Sequence, residues 1–144
     1  MEQRLNFISL GVRDVSRSRD FYVTGLGWEA RLDVPGEVIF LQVNHGLILS
    51  LWDRAAMAAE LGTDPAALDA CPIPPVTLSH NVSSPEEVDA VVRQARKAGA
   101  AVVRDPAHQS WGGYSGYFAD PDGFRWEVAY NPTWDVDDTG RVTV

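Results

Sequence analysis

Tyr117-Phe118-Ala119-Asp120-Pro121-Asp122-Gly123-Phe124-Arg125-Trp126-Glu127-Val128 is the stretch that decides the fold. Tyr117 to Ala119 reads as a strand, Asp120-Pro121-Asp122-Gly123 as a tight turn, and Phe124 onward as a second strand, so the stretch predicts a β-hairpin. The period of two in the second strand sets Glu127 apart from Phe124, Trp126 and Val128, and aims one carboxylate at one face of a sheet. Such a carboxylate can ligate a divalent metal, orient a bound molecule or act as a base, and its neighbours decide which.

Working outward, residues 5 to 12 read as a strand, followed by a helix from near Ser16 through Phe21 and Tyr22 to a stop at Gly25. Trp28, Ala30 and Leu32 alternate into a turn at Pro35-Gly36. Residues 37 to 43 form a second run, and Asn44-His45-Gly46 turns into Leu47 to Trp52. The order is β-α-β-β-β. The second half repeats it: a strand at 75 to 82, a helix opened by the Ser84-Pro85-Glu86-Glu87 capping box, and strands near 100 to 104, 114 to 119 and 124 to 130. Val88, Val91, Val92, Ala95 and Ala98 keep helical spacing down to Gly99. The expected organisation is a first module over 1–52, a helical connector over 53–74, a second module over 75–131 and a loosely ordered tail over 132–144, which Trp134 could pin. In the connector an alanine-rich helix follows Asp53, and a second helical stretch follows Thr63-Asp64-Pro65.

With 144 residues, 45% of them hydrophobic, the chain is long enough for one compact domain or two small modules. Twelve basic against 20 acidic residues give a formal charge of −8, which leaves no cationic footprint for nucleic acid or anionic lipid. No apolar run approaches the roughly 20 residues that span a bilayer, and no signal-peptide core follows Met1. A cytoplasmic protein without nucleic-acid or membrane partners is expected. The single cysteine, Cys71, has no partner for an internal disulfide and reads as a linker residue.

Strand alternation sorts the candidate side chains. One face collects Phe7, Ser9 and Gly11, then Ile48, Ser50 and Trp52, then Thr77, Ser79 and Asn81, and finally Arg125, Glu127 and Ala129. The other collects Ile8, Leu10, Val12, Leu49, Leu51, Leu78, Trp126 and Val128, which suits packing against helices. The mixed face suits a ligand cavity, since a cavity needs a few polar groups in an apolar lining. Trp52, Trp111, Tyr114 and Tyr117 are candidate lining aromatics, while Trp28 and Trp126 are assigned to packing. His80 falls on the apolar face and reads as a hydrogen-bonded structural histidine, and His45 as a turn residue. His108, in the loop from Pro106 to Tyr114, is the histidine that could pair with Glu127 as a general acid/base. Glu127 also has a structural reading, paired with Arg125 or Arg13 or satisfied by tyrosine and serine hydroxyls.

Val12-Arg13-Asp14 with Ser18, Phe21-Tyr22 and Leu26-Gly27-Trp28 in the first half, and Asp120-Pro121-Asp122-Gly123 through Glu127 in the second, together resemble the vicinal oxygen chelate superfamily. That superfamily includes glyoxalase I, extradiol dioxygenases and bleomycin resistance proteins. The resemblance covers nearly the whole chain. It implies an α+β fold of two βαβββ modules whose curved sheets form an open barrel around a cavity, commonly in a homodimer. Carried over by position, the family's metal-ligand sites fall at Phe7, Ser50, Thr77 and Glu127. Only Glu127 is a strong ligand, whereas catalytic zinc takes three protein ligands and non-haem iron two histidines and a carboxylate.

The expectation is therefore a homodimeric binding protein that holds a small hydrophobic or aromatic molecule without a metal or other cofactor. Its expected contacts are Phe7, Ser9, Ser50, Trp52, Thr77, Ser79, Asn81, Trp111, Tyr114, Tyr117 and Arg125. The alternative is a lyase, isomerase or dioxygenase of the same superfamily that uses Glu127 and His108, or a Zn, Ni, Mn or Fe ion with Glu127 as the retained ligand.

Overall fold

The computed structural model describes residues 1–69 and 73–143, so Cys71 lies outside the described residues. The chain divides into two compact units, Met1–Pro72 and Ile73–Val144.

In the first unit the strands are β1 (Phe7–Val12), β2 (Ala30–Val34), β3 (Val38–Asn44) and β4 (Leu47–Asp53). They form a sheet of order β1-β4-β3-β2, parallel between β1 and β4 and antiparallel elsewhere. Between β1 and β2 lies α1 (Val15–Arg19), and after β4 lies α2 (Arg54–Leu61). Each helix starts at an aspartate: the Asp14 carboxylate accepts from the Ser16 and Arg17 amides at 2.9 and 3.2 Å, and Asp53 accepts from the Ala56 amide at 2.9 Å. A 3-10 turn, Pro65–Asp69, follows α2.

The expected helix to Gly25 is regular only as far as Arg19. Asp20–Gly25 is a π-helical turn, in which the Leu26 amide reaches the Phe21 carbonyl at 2.9 Å. Its wider backbone lets the neighbouring residues Phe21 and Tyr22 both turn inward, and their rings meet edge to face at 4.9 Å. Trp28 lies outside the strand expected for it, tilted against Tyr22 at 5.4 Å, with its amide bonded to the Tyr22 carbonyl. Leu10, Val12, Ile39, Leu41, Leu49 and Leu51 complete this core. Each such side chain gains about 1.5–3 kcal/mol on burial, so alternation of apolar residues is enough to fix which face turns inward.

The second unit repeats the topology with β5 (Thr77–Asn81), α3 (Pro85–Lys97), β6 (Ala101–His108), β7 (Tyr114–Ala119) and β8 (Arg125–Tyr130). Its sheet order is β5-β8-β7-β6, with β5 and β8 parallel. Ser84 caps α3 by accepting from the Glu87 amide at 3.2 Å, while the Glu87 carboxylate accepts from the Ser83 amide at 2.7 Å. Val88, Val92 and Ala95 bury the inner stripe of α3, which packs on β6, β7 and β8. Below it Phe118 and Trp126 stack with centroids 6.2 Å apart.

The turn from Asp120 to Gly123 has a structural explanation. Asp120 is 5% exposed, and its carboxylate accepts from the amides of Asp122 and Phe124 at 3.0 and 2.9 Å. Gly123 follows with φ of 94°, a left-handed conformation that other residues resist. Two elements differ from expectation. β6 runs on to His108, with register shifts around Arg104, and residues 135–143 hold a short antiparallel pair, β9 (Asp135–Val136) and β10 (Val142–Thr143), where a loose tail was expected. Each module thus carries one open four-stranded mixed sheet with helices, an α+β architecture of two βαβββ repeats. Among the described residues no helix is long and apolar enough to cross a membrane.

Candidate functional site

Three neighbouring strands of the second unit bring Ser79, Glu127 and Tyr117 into one row. Ser79 on β5 and Tyr117 on β7 are the direct register partners of Glu127 on β8, so all three share a face. Tyr117 donates its hydroxyl to one Glu127 carboxylate oxygen at 2.5 Å, and Ser79 donates to the other at 3.2 Å. The hydrogen bond to Glu127 pushes the Tyr117 phenol up to about 12, helped by burial and by the Glu127 charge, against a smaller opposing pull from Arg104. Arg104, which the sequence did not single out, lies with its guanidinium 5.9 Å from the Tyr117 ring centroid and donates to the Gln109 side chain.

Beside this row is a cavity of about 520 Å³. The sheet contributes Ser79, Asn81, Glu127 and Ala129 to it, and two indoles flank them, Trp111 and Trp134. These indoles are 50% and 40% exposed. Trp111 reaches its place because residue 113 is a glycine: a Cβ there would lie 1.6 Å from the indole Cζ3 and 2.5 Å from the Tyr130 carbonyl. The loop is held by the Gln109 amide on the Gly113 carbonyl at 2.9 Å and the Gly112 amide on the Gln109 carbonyl at 3.0 Å. Trp134 is set by an Asx turn in which the Asn131 side-chain oxygen accepts from the amide and hydroxyl of Thr133 at 3.0 and 2.9 Å. Asn131 and Thr133 also line the cavity. Neither was among the expected site residues: Asn131 closes the second module as it was expected, and Thr133 falls in the expected tail.

Of the expected site residues, Ser79, Asn81, Trp111 and Glu127 come together at the cavity, with Tyr117 bonded to Glu127. Thr77 and Arg125 are register partners further along the same face and do not line it. The Arg125 side chain makes no hydrogen bond or ion pair among the described residues, and Arg13 pairs with Asp69 at 3.1 Å, so the hydroxyls of Tyr117 and Ser79, not an arginine, hold Glu127.

Three histidine and tyrosine expectations meet a different outcome. Tyr114 sits on the helix-facing side, donating to the Asp89 carboxylate at 3.1 Å and the Pro106 carbonyl at 3.3 Å. Its phenol is raised by burial first and by the Asp89 bond second. His108 is the register partner of Tyr114 and meets its ring edge to face at 5.0 Å. His108 therefore lies on the side of the sheet away from Glu127, and the pair does not form. It was expected in a loop over the cavity, but β6 continues through it and pairs it with Tyr114. His80 keeps the face expected for it, as register partner of the buried Val128, and burial lowers its imidazole against an opposing pull from Glu87. It lies on edge strand β5 with much of its surface exposed, and its side chain makes no hydrogen bond among the described residues.

Phe7, Ser9, Ser50 and Trp52 lie on the corresponding face of the first unit. There Ser9, Ser50 and Phe40 form a row by the same register, Ser9 and Phe40 each opposite Ser50. Ser50 is 2% exposed, and Phe40 meets Phe7 edge to face at 5.4 Å. The two rows match position for position, with Ser50 where the second has Glu127 and Phe40 where it has Tyr117. The repeat is retained and its chemistry is not.

A divalent metal does not fit these donors. Of the four carried-over positions Phe7 has no donor atom, Ser50 and Thr77 offer neutral hydroxyls, and Glu127 alone offers a charged donor. Among the described residues no three His, Cys, Asp or Glu side chains come together.

Comparison with known proteins agrees with this architecture. Residues 4–128 match the Glyoxalase/Bleomycin resistance protein/Dioxygenase superfamily model. A glyoxalase-related enzyme from Fulvimarina pelagi is 33% identical over 99% of each chain, with a TM-score of 0.88. A glyoxalase/bleomycin resistance protein/dioxygenase from Nocardioides is 28% identical over 90% of this chain and 84% of its own, with a TM-score of 0.74. A lactoylglutathione lyase from Agrobacterium tumefaciens, 20% identical over 90% of this chain and 95% of its own with a TM-score of 0.65, shares the fold. A search of curated proteins gives no match. With its repeated βαβββ modules and a family match over most of its length, the chain belongs to the glyoxalase/bleomycin resistance protein/dioxygenase superfamily.

Proposed function

We propose that the second module binds a small planar molecule in the cavity beside Glu127, by stacking on Trp111 and Trp134 and hydrogen bonding to the carboxylate, with no metal taking part. The observation that carries this reading is the placing of two half-exposed indoles around one polar row, in a cavity whose 520 Å³ is a usual size for a small-molecule site. Indole faces offer flat apolar area, and Asn81 and Thr133 supply neutral hydrogen-bonding groups in the lining. Assembly as a homodimer, implied by the family, is part of the same proposal and is tested by sedimentation.

A panel of planar fragments followed by tryptophan fluorescence tests the reading. Fragments that bind should lose about tenfold in affinity, near 1.4 kcal/mol, in Trp111→Ala or Trp134→Ala. Binding that ignores both substitutions would place the ligand elsewhere and end the proposal. A second reading, a lyase or isomerase in which Glu127 takes a proton from carbon, draws support from the enzyme of Fulvimarina pelagi at 33% identity. For it, Glu127→Gln should retain binding and lose turnover on a carbonyl substrate; turnover unchanged in that variant sinks it.

A further inference from the structure

We infer that the molecule taken by this cavity is an organic cation, a flat ring system bearing positive charge, stacked on Trp111 or Trp134 with its charge turned to Glu127. The inference rests on the binding reading above and adds the ligand's chemical class.

Among the described residues Glu127 is the one charged side chain that lines the cavity. Its two partners, Tyr117 and Ser79, are hydroxyls: they fix the carboxylate and leave its charge uncompensated. Each oxygen keeps a lone pair for a ligand N–H, or for contact with a quaternary nitrogen. Because Tyr117 stays protonated to about 12, the row remains a donor-and-acceptor pair throughout the neutral range.

The cations nearby are placed otherwise. Arg104 lies over the Tyr117 ring and bonds to Gln109, and Arg125 lies two residues along β8 without lining the cavity. The rest of the lining is uncharged, so an anionic ligand would meet one carboxylate and no cation. The negative faces of the two indoles favour the same sign of ligand as Glu127 does, and this coincidence of three groups carries the inference. The formal charge of −8 adds long-range attraction for a cation.

Isothermal titration with N-methylquinolinium and with quinoline, at mildly alkaline pH where quinoline is neutral, compares two rings that differ in charge. The quinolinium should bind at least about tenfold more tightly, the sum expected of a cation over an indole and beside a carboxylate. Glu127→Gln, which keeps an acceptor for Tyr117, should reduce that preference to less than about threefold. Added salt should weaken the quinolinium and spare the quinoline, a readout that needs no variant. Equal binding of the two rings, lost in Trp111→Ala, overturns the cation and leaves the planar-ligand reading intact. Failure of both rings to bind, or binding indifferent to Trp111→Ala and Trp134→Ala, overturns both.

Discussion

A phenol that donates to a carboxylate at 2.5 Å is worth more folded than unfolded, and Tyr117 holds such a bond to Glu127. Because folding raises this phenol to about 12, its neutral form is favoured in the native state. The sign follows: the stabilisation is complete below the ordinary tyrosine range near pH 10 and disappears as pH rises towards about 12. Tyr117→Phe should therefore cost about 1 kcal/mol at neutral pH, and urea titrations should show the gap to the native protein closing over that alkaline window. A gap that does not change with pH assigns the loss to packing. Gly113→Ala should cost about 1–3 kcal/mol by overpacking, since its Cβ falls on the Trp111 ring. The displaced indole should red-shift the emission, and an unshifted spectrum at unchanged stability contradicts the described loop. At this scale the sequence is legible where a strand is regular. Glu127 faces the cavity by simple alternation, and the Asp120 turn fixes Tyr117 opposite it. Tyr114 stands three residues from Tyr117 on the regular strand β7, so alternation alone sets the two on opposite faces, and the expectation of a shared cavity lining overlooked it. His108 was not legible because it was read as a loop residue, whereas β6 runs on through it.

Elements carry their own signals when end chemistry and period agree. For α3, the serine cap, proline in the first turn, glutamates near the start and Arg96 and Lys97 near the end all point the same way. Ser84→Ala should cost about 1 kcal/mol through the unsatisfied Glu87 amide, seen as a lower urea midpoint at unchanged slope. No loss would mean that water replaces the cap. The first-module helix, expected from near Ser16, begins one residue earlier at Val15 behind an Asp14 cap that the reading did not name, and its interior departs from the expectation. Helical periodicity assumes one residue in three or four inward, and the adjacent buried pair Phe21-Tyr22 is the local mark of the π-helical turn. The tail from 132 was illegible for another reason: its order comes from two-residue strands and from Asn131 capping its own turn, neither of which has a period to detect.

For the whole molecule, duplication was the strongest sequence signal, and it set the fold before any residue was assigned a role. Which module kept its polar row depended on single residues that the repeat does not dictate. The donor set gives a global prediction. If the site works without a metal, as proposed, prolonged chelation should leave the thermal midpoint within about a degree, and purified protein should contain no stoichiometric Zn, Ni, Mn or Fe by mass spectrometry. A bound metal lost in Glu127→Ala would reverse that conclusion.

The depolarised twin row, with Ser50 for the carboxylate and Phe40 for the phenol, also governs stoichiometry. A duplicated chain with both rows intact would offer two stations and the chance of cooperation between them. On the proposed reading only the second module's row serves as a station, so the isotherm of a cationic ring should be hyperbolic and saturate at a single molecule per chain. Restoring the lost pair with Ser50→Glu and Phe40→Tyr would be the way to count towards two.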